Sequence, residues 1–362
     1  MQRKILILSV IFVVLLSLYA IGCQSTEVVT PKEDQTGTDS GTDPGADPIE
    51  LRFTTVVSTL HPNYKSYEKY AEEISNRTNG KVKIVLYPSG TLNDPMDTYN
   101  AVKNGLADIG CAPVGYSPAI MPLNKLFGDA LMGIPNAKEA ANIWTEAFNN
   151  MPELQKELEG VHILFLTSTT PLIIGTTKQE VSKMEDLKGL VMRFPPGLEP
   201  LAKAWGISPV NMPIGDIYVG LEKGTTHGFF GGAEMLETMR LAEFTKYATD
   251  VSMVYGFNWT AMNSKVWESL PADVQQVFNE LTEWGQELTI NGFDESENQS
   301  RQFALSQGTK FVEIEEDELQ KIFSASIPVF QQIAAELEGK GVPANKLLSE
   351  IEKINAQYIS QK

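Results

Sequence analysis

The sequence is poor in the residues that metals and nucleophilic catalysis draw on. Its 362 residues hold two cysteines and three histidines, His61, His162 and His227, all far apart. No CxxC, HExxH or Cys–His spacing occurs, and neither does a GxSxG elbow or a phosphate-binding loop. The chain therefore offers no metal ligand set and no catalytic grouping, and no cofactor is expected. Positive charge is scarce as well: 29 Lys and Arg against 46 Asp and Glu leave a net charge of −17. That balance argues against nucleic acid and against an anionic membrane surface, both of which are recognised by clustered Lys and Arg. A small anion would be repelled at long range, screened over about 8–10 Å, and would need a local buried cation to bind. The lone Cys111 in ADIGCAPVGY reads as a small buried hydrophobe.

The amino terminus carries Gln2-Arg3-Lys4, an apolar run from Ile5 to Leu18, and then Ala20-Ile21-Gly22-Cys23. A basic start, a short apolar core and small residues make a secretory signal, too short for a permanent membrane helix. Small residues ending in cysteine resemble the bacterial lipoprotein signal, which makes residues 1–23 the signal and Cys23 the lipidated first residue of the mature protein. The alternative is an ordinary signal followed by a free thiol. Residues 24–48, rich in Ser, Thr, Gly, Asp and Pro, have almost nothing to bury and read as a disordered leash spanning about 25–30 Å on average. Anchor plus leash places the globular part outside the cell membrane, held near it.

Beyond the leash the pattern is α/β. Residues 49–57 read as a strand, followed by a helix over about 63–78, the strand KVKIVLYP, the helix MDTYNAVKNG and the strand ADIGCAPV. A second β-α-β-α-β run begins at Gly189: GLVMRFPP, LEPLAKAWG, SPVNMP, IGDIYVGLEKG and THGFF. Pro195 and Pro196 cannot donate to a sheet ladder, so the first of these strands stops there and leaves Arg193 at its carboxyl end. In open parallel sheets that is where ligands bind. A guanidinium there is a planar, permanently charged fork suited to a carboxylate, or else one half of a salt bridge between lobes. Residues 271–307 read as one helix of about 50 Å, with Val274, Val277, Phe278, Leu281, Trp284 and Leu288 as its apolar stripe and Gly285 and Gly292 as weak points. The expected organisation is lobe I over 49–168 with about 257–290 returning to it, lobe II over 169–256 with about 291–330, and C-terminal helices over 331–362.

Several segments, in this order and spacing, resemble the DctP-type solute receptors of the TRAP transporters: YAEEISNRTNGKVKIVLYPSGTL, VKNGLADIG, MEDLKGLVMRFPP, SPVNMPIGDIYVGLEKG and MNSKVWESLPADVQQVF. The resemblance implies a two-lobed periplasmic-binding-protein-like (type II) fold, with a hinge and a long helix lying across both lobes. It also implies capture of an organic acid and its delivery to membrane permease subunits by a receptor that is a monomer and not an enzyme. Arg193 matches the arginine that grips the ligand carboxylate in that family. A receptor for an ATP-driven importer, or a sensor for a membrane kinase, would use the same closing shape.

The chain departs from the family's polar pocket. A second arginine found twenty residues upstream is Ile173 here, and a Gln-Glu-Asn run is Phe229-Phe230-Gly231. An asparagine of sialic-acid-type relatives matches Val56, and a glutamate after the third strand matches Pro113. A hydroxylated ligand would leave its donors unpaired in such a pocket, at about 1–3 kcal/mol for each one buried, whereas an apolar tail gains about 25 cal/mol per Å². The expected ligand is thus a monocarboxylate with a hydrophobic or aromatic remainder, with a dicarboxylate or sugar acid as the alternative. Tyr116, Phe229, Phe230 and Trp259 are the candidate aromatic walls, Gly231 opens room beside them, and Ile214 opens the helix that follows. Strand alternation lets at most one of Phe229 and Phe230 face the crevice. His61, at the mouth of the first loop, is either a ligand contact or a surface residue, and His227 caps or packs.

Overall fold

The computed structural model describes residues 47–210, 212, 214–251 and 256–359. The signal, Cys23 and nearly all of the leash lie outside the described residues. In chain order the strands are β1 (Ile49–Thr55), β2 (Val82–Tyr87), β3 (Ile109–Pro113), β4 (Val161–Ser168), β5 (Leu172–Thr176), β6 (Val191–Arg193), β7 (Ser208–Val210), β8 (Gly228–Gly232), β9 (Tyr247–Asp250), β10 (Phe257–Asn263) and β11 (Lys310–Val312). The helices are α1 (Pro62–Arg77), α2 (Thr98–Lys103), α3 (Pro122–Ala130), α4 (Ala137–Asn150), α5 (Pro152–Lys156), α6 (Glu199–Ala204), α7 (Ile217–Glu222), α8 (Met235–Thr238), α9 (Ser264–Ser269), α10 (Ala272–Glu280), α11 (Thr282–Ser306), α12 (Glu316–Glu338) and α13 (Ala344–Ile359).

The strands form two mixed sheets, ordered β2-β1-β3-β10-β4 and β11-β9-β5-β8-β6-β7. In the first, β1 is parallel to β2 and β3, while β10 runs antiparallel between β3 and β4. In the second, β6 is parallel to both β7 and β8, and β5 is antiparallel to β8 and β9. Each parallel set thus has its carboxyl ends gathered on one edge, and β5 and β10 interrupt the parallel pattern where the chain crosses between sheets. The crossings at Thr169 and Gly256 are bonded to each other: the Thr169 N–H donates to the Gly256 carbonyl at 2.8 Å, and the Gly256 N–H donates to Thr169 Oγ1 at 2.9 Å.

The expected single helix over 271–307 is two. At Leu281 the backbone N–H is shared between the carbonyls of Val277 and Phe278, and the side chain is fully buried, so the turn tightens there and α10 ends. The remaining 25 residues of α11 are about 37 Å long and pack on α1, α4 and β4 on one side and on α8 on the other, so the helix still reaches both sheets. Its buried residues beyond Leu281 are mostly small, with Gly285, Thr289, Gly292, Ser296, Ser300 and Ala304 buried beside Ile290 and Phe293, while Trp284 is exposed. Gly285 and Gly292 are therefore packing positions and not weak points. A Cβ at Gly285 would meet the rings of Phe165 and Tyr70 at 2.8–2.9 Å, and one at Gly292 would meet Ser66 Oγ at 2.6 Å.

The C-terminal helices also begin earlier than residue 331. Helix α12 starts at Glu316 and runs through Pro328. It packs on α3 and on α6, next to β3 and β6 in sequence, and Trp205 Nε1 donates to Ser326 Oγ at 3.0 Å. One hydrophobic core accordingly runs from Trp144, Phe257 and Trp259 in the first sheet's layer to Phe194, Trp205 and Phe230 in the second's, closed by Phe323 and Phe330 of α12. Separate cores lie behind each sheet, around Phe53 and Phe278 and around Ile173 and Phe229.

Gly285→Ala tests the close approach of α11 to α1. An alanine in a helix interior is normally favourable by about 1 kcal/mol, but here overpacking of about 1–3 kcal/mol opposes it. The variant should have a lower denaturation midpoint in urea than the wild type.

Candidate functional site

Where the carboxyl ends of β3, β6 and β8 face one another lies a cavity of about 190 Å³. Three larger hollows, of about 550, 560 and 250 Å³, each belong to one sheet and its helices, and none is lined by a residue with a buried unpartnered polar group. The smaller cavity has two such residues, Arg193 and Glu234. Its walls are mainly apolar: Pro113, Val114 and Phe257 come from the first lobe, and Leu172, Pro195, Pro196, Leu198, Ile214 and Met235 from the second. Thr169 and Gly256, the bonded crossings, lie at its base.

Arg193 is 5% exposed, its Nε is buried without a partner, and its side chain makes no ion pair or hydrogen bond among the described residues. The salt-bridge alternative is thus not realised there. Burial pushes its pKa below the ordinary arginine value, partly offset by Tyr116 of the first lobe, whose own hydroxyl is pushed up by burial and drawn back by Arg193. A fixed cation with an open fork is what an incoming carboxylate needs.

Of the residues singled out in the sequence, Arg193, Tyr116, Pro113, Ile214 and Gly231 line the cavity. The others do not. Ile173 is fully buried in the core behind the second sheet, because alternation along β5 sends its neighbour Leu172 to the cavity instead. Neither phenylalanine is a wall. Phe229 packs behind the sheet over Gly175, and Phe230 stacks among Phe194 and Trp205. Trp259 is fully buried beside Tyr99. Val56 is half-buried against the shared core. His61 caps α1, its Nδ1 accepting from the Asn63 N–H at 3.1 Å, and burial pulls its pKa down to about 4. His227 is exposed and only caps, its Nδ1 accepting from the Val191 N–H at 3.1 Å. The aromatic walls are Tyr116 and Phe257, and the room at Gly231 is taken up by Met235, whose sulfur lies 2.7 Å from where a Cβ would be.

Three charged residues of the cavity carried little sequence signal. Lys125 and Asp129, one turn apart on α3, form a largely buried ion pair, and their four-residue spacing was the only hint. Glu234 follows β8, and its Oε2 is buried without a hydrogen-bond partner. Its carboxylate lies directly over Gly232, in the space that a Cβ there would need. Burial pushes the Glu234 carboxyl up to about 7, against the pull of its own backbone N–H and with Glu297 adding to the rise. Between about pH 4.5 and 7 the folded protein thus holds a proton that the unfolded chain releases, and stability is lost as pH rises through that window. Glu234→Gln should melt within about 1 °C of wild type near pH 4 and at least about 2 °C above it at pH 8, by scanning calorimetry.

The core placement of Phe229 has its own test. Phe229→Ala should cost about 3–5 kcal/mol in urea unfolding, whereas Pro113→Ala at the cavity wall should cost less than about 1 kcal/mol.

Comparison with known proteins adds the following. The sequence profile of DctP, the bacterial extracellular solute-binding protein family 7, matches residues 53–337. The C4-dicarboxylate-binding periplasmic protein DctP of Rhodobacter capsulatus is 25% identical over 325 residues, covering 83% of this chain and 90% of that protein. A TRAP periplasmic solute-binding protein from Desulfovibrio salexigens, solved in an open form with the C-terminus of a symmetry mate in its ligand site, superposes with a TM-score of 0.77. It is 28% identical, covering 86% of this chain and 97% of that one. A TRAP solute-binding protein from Rhodoferax ferrireducens T118, solved with copurified benzoate, has a TM-score of 0.78 at 21% identity, over 86% and 98% of the two chains.

Proposed function

The chain belongs to the DctP family of bacterial extracellular solute-binding proteins, and on that premise we propose that it captures a monocarboxylate with a hydrophobic remainder between its two lobes. It is a TRAP-type receptor for an organic acid and not an enzyme. The observation that carries the ligand class is Arg193: a buried guanidinium without a counter-ion among the described residues, in a cavity whose walls are mainly proline, leucine, isoleucine, methionine and two aromatic rings, beside the paired Lys125 and Asp129 and the unpaired Glu234. The ligand carboxylate supplies the missing counter-ion through two parallel hydrogen bonds. Its remainder lies on the apolar walls, where each Å² removed from water contributes about 25 cal/mol.

A dicarboxylate, such as the one bound by the Rhodobacter relative, would ask for a second free cation. Lys125 is the other positive group at the cavity, and Asp129 already neutralises it. The reading extends to the rest of the chain: Cys23 carries a lipid, residues 24–48 tether the receptor outside the membrane as a monomer, and the liganded form docks on TRAP permease subunits. Docking of that kind needs only that the partner prefers the liganded shape.

The test is binding of a panel of organic acids, aromatic and aliphatic monocarboxylates beside dicarboxylates and sugar acids, followed by thermal shift and calorimetry. A monocarboxylate should bind best. Arg193→Ala should lower its affinity at least tenfold, about 1.4 kcal/mol, and Arg193→Lys should not restore it, because an ammonium lacks the fork. A sugar acid as the best ligand, or equal affinity in Arg193→Ala, would refute the assignment.

A further inference from the structure

We propose that Glu234 is the receptor's second ligand contact: it reads the far end of the acid held by Arg193, accepting a hydrogen bond from a hydroxyl there and excluding a second carboxylate. The inference rests on the monocarboxylate reading and deepens it.

The cavity is lined by four charged side chains, and two of them neutralise each other. With Lys125 and Asp129 paired, Arg193 and Glu234 remain. They stand on neighbouring parallel strands, Arg193 at the end of β6 and Glu234 just past the end of β8, yet they form no ion pair with each other. Each has a buried polar atom without a partner, Nε on one and Oε2 on the other. A ligand that satisfies both carries an anion at one end and a hydrogen-bond donor at the other.

The carboxylate is held in place by the local backbone. Gly232 has no side chain, and the Glu234 carboxyl group folds back over it, in the volume that any other residue would fill. Leu172 and Met235 line the same cavity, so the carboxyl group is set in an apolar wall that water enters poorly. Above about pH 7, where Glu234 has given up its proton, a plain hydrocarbon end leaves Oε2 unsatisfied, a hydroxyl satisfies it, and a second carboxylate meets like charge. Nothing in the sequence marks this residue: it stands past the strand, in GGAEML, where no spacing sets it apart.

The experiment titrates the full chain at about pH 8, where Glu234 is ionised, with two matched trios: benzoate, 3-hydroxybenzoate and isophthalate, and pentanoate, 5-hydroxypentanoate and glutarate. In at least one trio the wild type should bind the hydroxy acid about tenfold tighter than the plain acid, with the dicarboxylate weakest. Glu234→Ala, which removes the acceptor, should shrink the hydroxy preference to within about threefold. Glu234→Gln, which removes the charge and puts an amide donor in place of one oxygen, should tighten dicarboxylate binding at least about tenfold. Rankings in both variants that match the wild type, with all binding lost in Arg193→Ala, would overturn the role of Glu234 and leave the carboxylate grip standing. Affinities equal in Arg193→Ala and wild type, or no binding of any of the six acids, would overturn both.

Discussion

A guanidinium buried where two sheets meet, with no carboxylate beside it among the described residues, is the constraint on which the rest of this structure turns. Removing a charge from water is costly unless it is paired, and breaking such a pair inside a protein is worth several kcal/mol. Arg193 carries that cost with only the hydroxyl of Tyr116 to soften it. The position is fixed from behind, where Phe194 packs against Trp205 and Phe230 in the core that runs beneath α12. From in front it is fixed by Pro195 and Pro196, which end the strand and wall the cavity. The site is thus prepared before anything enters it, and a preorganised site loses less free energy to ordering when a ligand arrives.

Much of this was legible in the residues. Two prolines after an apolar run set Arg193 at a strand end, and the alternation of strand and helix signals gave two α/β units with their carboxyl edges available. What failed had physical reasons. Large aromatic side chains on β8 and β10 suggest cavity walls, but Phe229, Phe230 and Trp259 are fully buried and hold the layers together. Ile173 and Leu172 differ by one position and face opposite sides of β5, a distinction that register decides and composition does not. The buried face of α11 carries little apolar signal because, apart from Ile290 and Phe293, its residues are small: Gly285, Gly292, Ser296 and Ser300 give no apolar stripe, although they bring backbones close. Glu234 and the Lys125–Asp129 pair enter the site from elements far apart in sequence, so only the assembled fold brings them to one cavity.

The two halves are less independent than two similar units would suggest. The crossings at Thr169 and Gly256 are joined by hydrogen bonds at the base of the cavity. Helix α11 packs along one side of both sheets and is tied to β9 by Arg301, which bonds the Asp250 carboxylate with both terminal nitrogens. On the other side α12 rests on α3 and α6 together, and Asn355 of α13 closes the end of α3 by donating to the Ala130 carbonyl at 2.8 Å.

Lys125 gives this arrangement a further property. Its stem reaches from α3 to the turn after Pro196, where its Cε lies 2.8 Å from the place a Cβ on Gly197 would occupy. The lysine head is tied back to Asp129, so the stem is stiff and cannot fold aside. It acts as a doorstop between the lobes: one aliphatic chain from α3 rests on the bare backbone of Gly197, four residues past Arg193. The size of acid that fits can then drift through changes at positions 125 and 197 while the charge that grips it stays untouched.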